Sequence, residues 1–194
     1  MRYRSYSEEE YIDKCSSEKF MDEYDPMPNC TSYLTYCGKK TIGSIRSCVF
    51  DPIEKLSIPV MDVFDEEIRT NVGYEHTMIE ANKFVVDPSF QKQGGVRARF
   101  SIYKNIADEI VDRNAKYLVA AIRTEHIKFY KMLNFEQASD IKSYPHLNFQ
   151  TLFVVCENVD GFCDKIYSKT VRKDLKRKAQ LEINNGALLS NGSN

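Results

Sequence analysis

The chain has 194 residues, 42% of them hydrophobic and 28% charged, with 27 basic side chains against 28 acidic ones. A chain of this length buries roughly 70% of the surface its unfolded form exposes, enough for a core without disulfide or metal staples. This composition excludes disorder of the whole chain, and no apolar run approaches the ~20 residues of a membrane span.

The balanced charge argues against bulk binding of nucleic acid, but it hides an asymmetry. Residues 1–30 hold eight acids and four bases, whereas residues 165–178 hold seven bases and only Asp174. The stretch from Met1 to Glu8 lacks the apolar core of a secretory signal, so a cytoplasmic protein is expected. The six cysteines contain no C-x-x-C pair and read as small buried or incidental thiols, not disulfides. His76, His126 and His146 show no metal-ligand spacing, and no metal centre is expected.

Along the chain, the acidic and polar residues 7–22 are read as a short helix. Tyr24-Asp25-Pro26-Met27-Pro28-Asn29 is a loop, because its two prolines remove donors and restrict the residues before them. Thr31–Cys37 and Thr41–Phe50 alternate as strands around the turn Gly38-Lys39-Lys40. Residues 51–73 are ambiguous, with Asp65-Glu66-Glu67 able to open a helical turn. Thr77–Val86 is the central strand, ended by Asp87-Pro88. Beyond Gly94-Gly95, apolar residues at Val96, Phe100, Tyr103, Ile106, Ala107, Ile110 and Val111 keep the helical period and predict a helix over 96–113.

Tyr117–Ile122 is a continuous apolar run, expected of a strand covered on both faces. Thr124 is placed to cap a helix running through Met132, with Asn134 as its left-handed stop. Phe135–Ala138 and Phe149–Cys156 are closing strands. The expectation is a mixed α/β (α+β) domain over residues 1–164, followed by a basic C-terminal helix and flexible tail over 165–194.

The segment Phe84-Val85-Val86-Asp87-Pro88-Ser89-Phe90-Gln91-Lys92-Gln93-Gly94-Gly95-Val96-Arg97 is a strand, turn and helix start. Glycines before a helix let backbone amides approach a phosphate, and the helix N-terminus adds its positive end. The same glycine pair also serves as an ordinary turn. The segment resembles the acyl-donor loop of the GNAT superfamily of N-acyltransferases, with Gln91 and Gly94 in register and Val96 where a small residue is usual. His126 to Glu136, with Phe129-Tyr130 closing a helix before Asn134-Phe135, is similar to that superfamily's second motif.

A narrower resemblance is to acyl-homoserine-lactone synthases and N-acyl amino acid synthases. It rests on Glu80-Ala81-Asn82-Lys83-Phe84, Asp22-Glu23-Tyr24-Asp25, Gly43-Ser44-Ile45-Arg46 and Pro145-His146-Leu147. Their N-terminal arginine and aromatic residues find no counterpart before Phe20. The resemblance implies a central, mostly antiparallel sheet of six or seven strands flanked by helices. It also implies a splay between Val85-Val86 and Tyr117–Ile122, where a pantetheine chain would pair with freed backbone groups.

In function the resemblance implies an enzyme, an N-acyltransferase that moves an acyl group, long-chain by the synthase pattern, from a pantetheine thioester to the amine of an amino acid or similar small molecule. The donor would be acyl carrier protein or acyl-CoA, used as co-substrate with no permanently bound cofactor. The basic tail would suit an acidic carrier protein, or serve as a solvated helix face. The alternatives are an acetyl-CoA-dependent acetyltransferase and a non-catalytic binding module. An apolar tunnel near Phe84, Phe100, Leu118 and Phe153 would favour long chains.

Glu80 is the candidate base for the amine, or else a strand-face glutamate paired with Lys83 or Arg46. Tyr130 is the candidate proton donor to the departing thiolate, or else a core aromatic. Phe84, Val85, Val86, Gln91, Gln93, Gly94, Gly95 and Arg97 are implied for the donor. Asp25, Arg46 and Lys83 are implied for the acceptor, Arg46 bidentately on a carboxylate. Cys156 has no activating base near it in sequence and is not expected to be a nucleophile.

Overall fold

The computed structural model describes residues 1–91, 95–144 and 147–168. Gln93, Gly94, His146 and most of the basic tail lie outside these residues, as do the side chains of Gln91, Gly95, Val96 and Arg97. The chain forms α1 (Arg2–Glu8), β1 (Cys30–Cys37), β2 (Lys40–Phe50), α2 (Met61–Asn71), β3 (Met78–Val86), α3 (Pro88–Gln91) and α4 (Gly95–Arg113). It continues through β4 (Tyr117–Arg123), α5 (Ile127–Met132), β5 (Glu136–Gln137), β6 (Lys142–Ser143) and β7 (Gln150–Cys156). A last helix, α6, covers residues 159–168.

The strands make one sheet in the order β1-β2-β3-β4-β7-β5, with β6 also on β7. Every pair is antiparallel except β3 with β4. That parallel pairing covers only Met78↔Tyr117, Ile79↔Leu118 and Glu80↔Val119. Past Glu80, β3 stays with β2 while β4 stays with β7. The sheet therefore opens in a V, as the resemblance implies.

The strand period of two divides the interior between the two faces of the sheet. Ile79, Ala81, Leu118, Ala120, Ile122, Leu152 and Val154 pack beneath α4 with Ile102, Tyr103 and Ile106. Met78, Val119, Phe153 and Val155 pack against Phe64 and Ile68 of α2. From Phe100 to Ile110 the apolar stripe of α4 is buried, whereas Val111 lies on the solvent side at 62% exposure. Among the described residues no helix is long and apolar enough to cross a membrane.

Two local expectations are corrected. The N-terminal helix is α1, not residues 7–22, because Glu10 and Glu18 take left-handed backbone angles (φ 58° and 50°) that a helix excludes. Thr124 does not cap a helix with its side chain. It opens a 3-10 turn, Thr124–His126, that leads into α5. Asn134 does take the left-handed stop, at φ 69°, and Gly38 does so in the β1–β2 turn, at φ 61°.

Candidate active site

The left wall of the opening is the second half of β3, and a bulge shapes it. Ser44 pairs with Val85 and Arg46 with Asn82, so Lys83 and Phe84 together face Ile45. Lys83 absorbs the extra residue with φ 47°, a conformation a non-glycine side chain adopts only where the surroundings enforce it. The bulge separates the two side chains. Lys83 meets the carboxylates of the 22–25 loop, and Phe84 packs against Tyr103 of α4 with the rings tilted by 33° and their centroids 5.1 Å apart.

Those carboxylates and three cations form one network around the buried Arg46. Arg46, 1% exposed, donates from Nη1 and Nη2 to the two oxygens of Asp22 at 2.6 and 3.0 Å. Its Nη1 also lies 3.3 Å from Asp25 Oδ1. Lys83 Nζ reaches Asp25 at 2.7 Å and Asp22 at 2.9 Å, and Arg2 reaches Asp25 at 3.1 Å. Burial works against the ionised carboxyls, but it is outweighed. Hydrogen bonds from Arg46 and Lys83 hold Asp22 far below the usual carboxylate range, and the Lys83 bond holds Asp25 below it too. Asp25, Arg46 and Lys83 are thus brought together, with Asp22 as the bidentate partner of Arg46.

Glu80 pairs with neither Lys83 nor Arg46. Its side chain is 1% exposed, and its oxygens accept Val60 N–H and Asn82 Nδ2, each at 2.8 Å. Burial pushes its carboxyl up to about 7, against the pull of those two bonds and of Arg46. Asn82 joins the two halves of the site, because its Oδ1 accepts Arg46 Nε at 2.8 Å. Sequence reasoning passed over Asn82. The signal was available, since residues two apart on a strand share a face.

The opening itself is a cleft of about 350 Å³, walled by Ala81 to Val86 on one side and Ala121 to Arg123 on the other. Asn82 lines it, while Glu80 is set behind the wall. Tyr130 and Phe129 of α5 also line the cleft, with Arg99, Arg123 and His126. Tyr103 donates its hydroxyl to that of Tyr130 at 2.8 Å. Burial raises Tyr130, while the Tyr103 bond and then Arg99 and Arg123 pull it back.

Tyr6 and Tyr11 close the cleft from the N-terminal segment, and Phe20 lies 4.8 Å from Lys83 Nζ, ring centroid to charge. The sequence offers no clear counterpart before Phe20 to the N-terminal arginine and aromatic residues of the synthases, yet residues there reach the site. Arg2, Tyr6 and Tyr11 do so through contacts between distant parts of the chain, which carry no sequence motif. Of the four residues named for an apolar tunnel, only Phe84 lines this cleft. Phe153 belongs to the core under α2, and neither Phe100 nor Leu118 lines the cleft. Cys156 is buried, its thiol pushed up to about 12 by that burial.

The comparisons with known proteins point the same way. The N-acyl amino acid synthase FeeM family profile matches residues 1–157, and no curated protein sequence matches the chain. The chain is similar in structure to FeeM, an N-acyl amino acid synthase from uncultured soil microbes. The TM-score is 0.67 at 18% identity, covering 82% of this chain and 88% of that one. It is also similar to BjaI, a CoA-dependent acyl-homoserine lactone synthase, with TM-score 0.64 at 14% identity over 87% and 77% of the two chains. The acyl-homoserine-lactone synthase LasI gives 0.60 at 13% identity over 81% and 79%. These likenesses establish the GNAT-like fold. The profile covers most of the chain, and the function it carries is acyl transfer of the N-acyl amino acid synthase type. The chain is an acyltransferase that belongs to the N-acyl amino acid synthase FeeM family.

Proposed function

We propose that the chain joins an acyl group from a pantetheine thioester to the amine of a free amino acid. The observation that carries this reading is the position of the charged network beside the cleft. Three cations, Arg2, Arg46 and Lys83, face two carboxylates, Asp22 and Asp25, which leaves one positive charge for the carboxylate of an acceptor. The acceptor's amine then lies against Asn82, between the network and the thioester. Glu80 takes the proton of the amine through a water at Asn82, and a carboxyl with a pKa of about 7 suits that task near neutral pH.

The amine nitrogen bonds to the acyl carbon, the carbon–sulfur bond breaks, and Tyr130 gives a proton to the departing thiolate. Most of the acceleration comes from holding amine and thioester together. The pantetheine chain pairs with the strand edges that part beyond Glu80, which need partners when covered. The acyl chain follows Phe84, Val86, Ile122, Phe129 and Phe149, which line the cleft, so chains longer than acetyl are accepted. BjaI was solved with isopentyl-CoA, and coenzyme A or acyl carrier protein carries the donor here.

The test is mass spectrometry of lipid extracts from cells making the chain or its Glu80→Gln variant. N-acyl amino acids should accumulate with the first and not the second. Their absence from cells that hold the folded protein would overturn the reading. Purified protein offered acetyl-CoA and longer acyl-CoA donors then tests chain length. Faster turnover with acetyl-CoA would favour the acetyltransferase alternative.

A further inference from the structure

Cys30 and Cys48 stand directly opposite one another on β1 and β2. In the next pair, Val49 N–H donates to Asn29 O at 2.8 Å. Hydrogen-bonded and non-hydrogen-bonded pairs alternate along an antiparallel ladder, so Cys30 and Cys48 form a non-hydrogen-bonded pair, in which the Cα atoms approach to about 4.5 Å. That separation falls at the near end of the roughly 4.4–6.8 Å that disulfides span. Side chains directly opposite on two strands lie on the same face of the sheet, so the two thiols are neighbours.

We propose that Cys30 and Cys48 are a redox-active dithiol, closed to a cross-strand disulfide by exchange with a low-molecular-weight disulfide and reopened by a small thiol. This goes beyond the acyl-transfer reading, and disulfide formation itself does not depend on that reading. The two cysteines have different environments. Cys48 is fully buried, whereas Cys30 is half-buried on the edge strand. The neighbouring Cys48 lowers the Cys30 thiol, and Arg46 adds to this against the cost of burial. Cys30 and then burial push Cys48 up. The thiolate therefore forms on Cys30, where a small oxidant has access.

Cys30 attacks one sulfur of the small disulfide, whose S–S bond breaks and releases one thiolate. Cys48 gives its proton to that thiolate and attacks the Cys30 sulfur, expelling the second thiolate, which takes a proton from water. The pair loses two electrons and two protons, and the small disulfide is reduced to two thiols. Reversible dithiols of this kind are the disulfides that occur in reducing compartments.

The active site is within reach of the change. Cys48 Sγ accepts Asn82 Nδ2 at 3.8 Å, and the same amide nitrogen holds Glu80 Oε1 at 2.8 Å. Turning Cys48 Sγ toward Cys30 removes one of the two acceptors that orient this amide. Oxidation should therefore lower acyl transfer, a consequence that does rest on the role given to Glu80.

The experiment incubates the purified full chain with oxidised glutathione, blocks free thiols with iodoacetamide and maps the unreduced peptides. The expected result is a linked Cys30–Cys48 peptide pair that dithiothreitol abolishes. Turnover should fall about three- to tenfold on oxidation, the value of one hydrogen bond, and recover with dithiothreitol. Cys30→Ser, which leaves basal turnover alone, should show no oxidative loss. Cys30 left free, or stopped as a glutathione adduct with Cys48 unlinked, overturns the dithiol. A linked pair with unchanged turnover overturns the coupling through Asn82. The peptide map decides the dithiol even if no acyl transfer is found.

Discussion

The backbone N–H of Val60 donates to Glu80 Oε2 at 2.8 Å, and Val60 is the residue from which α2 starts. Glu80 thus satisfies one of the orphan donors of a helix end and takes no part in the ion pairs of Arg46 and Lys83. Its second oxygen, held by Asn82, is the one nearer the cleft.

If Glu80 is the base, Glu80→Gln keeps the side chain's size but cannot accept the amine's proton. Turnover with saturating donor should fall about 10²–10⁴-fold with donor KM little changed. In the wild type, turnover should rise with pH and level off above about 7, where the carboxyl ionises. The variant should lack that rise. A variant within a few-fold of wild type would leave Tyr130 or bulk water as the better candidate for the base.

The same shift governs stability. Glu80 takes its proton at about 7 in the fold against the ordinary 4.5. Between those values the folded protein holds more protons than the unfolded one, so stability falls as pH rises through this window. From pH 4 to pH 8 the Glu80→Gln variant should gain about 3 kcal/mol relative to wild type, read from urea unfolding at each pH. Asp22 and Asp25 act in the opposite sense. Their lowered values add stability above the usual carboxylate range, and it is lost as acid protonates them.

Tyr130→Phe removes the hydroxyl that would protonate the thiolate and should slow turnover about 100-fold. Tyr103→Phe removes only the hydrogen bond that Tyr103 donates to it, and should cost about three- to tenfold. Equal effects of the two changes would show that the pair acts as packing. Steady-state rates with one donor separate these outcomes.

Gly43 shows why a small residue opens the Gly43-Ser44-Ile45-Arg46 motif. A Cβ there would lie 2.2 Å from Ile102 Cδ1 and 2.4 Å from the Val85 carbonyl oxygen. The isoleucine can turn aside, but the carbonyl belongs to β3 and cannot. Gly43→Ala should destabilise the fold by about 3 kcal/mol, measured by denaturant unfolding, and disturb the cleft wall at Val85.

Removing Arg46 should be as damaging for a different reason. Arg46→Met leaves Asp22 without its bidentate partner and Asn82 Oδ1 without a donor. A loss of about 3 kcal/mol is expected on denaturant unfolding. The Asp22→Asn, Arg46→Met double variant should recover part of it, because the carboxylate then left with Lys83 alone is no longer charged.

The local pattern of the sequence determined much of the fold. Alternation marked β1 and β2, Asp87-Pro88 marked the end of β3, the spacing from Phe100 to Ile110 marked α4, and Asn134 marked the end of α5. These are period and backbone effects, settled by neighbours along the chain. The motifs around Glu80, Arg46, Asp22 and Tyr130 also pointed to the candidate site, because they resemble the family's residues at recognisable spacing. Only the tertiary structure decided who pairs with whom. Arg46 joins Asp22 across 24 residues, Val60 rather than a cation holds Glu80, and the bulge at Lys83 sends its charge into the network. Residues from Ser5 to Tyr11 line the cleft with strands far along the chain, and Arg2 joins the network at Asp25. Electrostatic partners depend on distance and burial in three dimensions, and neither is written in the spacing of residues along a strand.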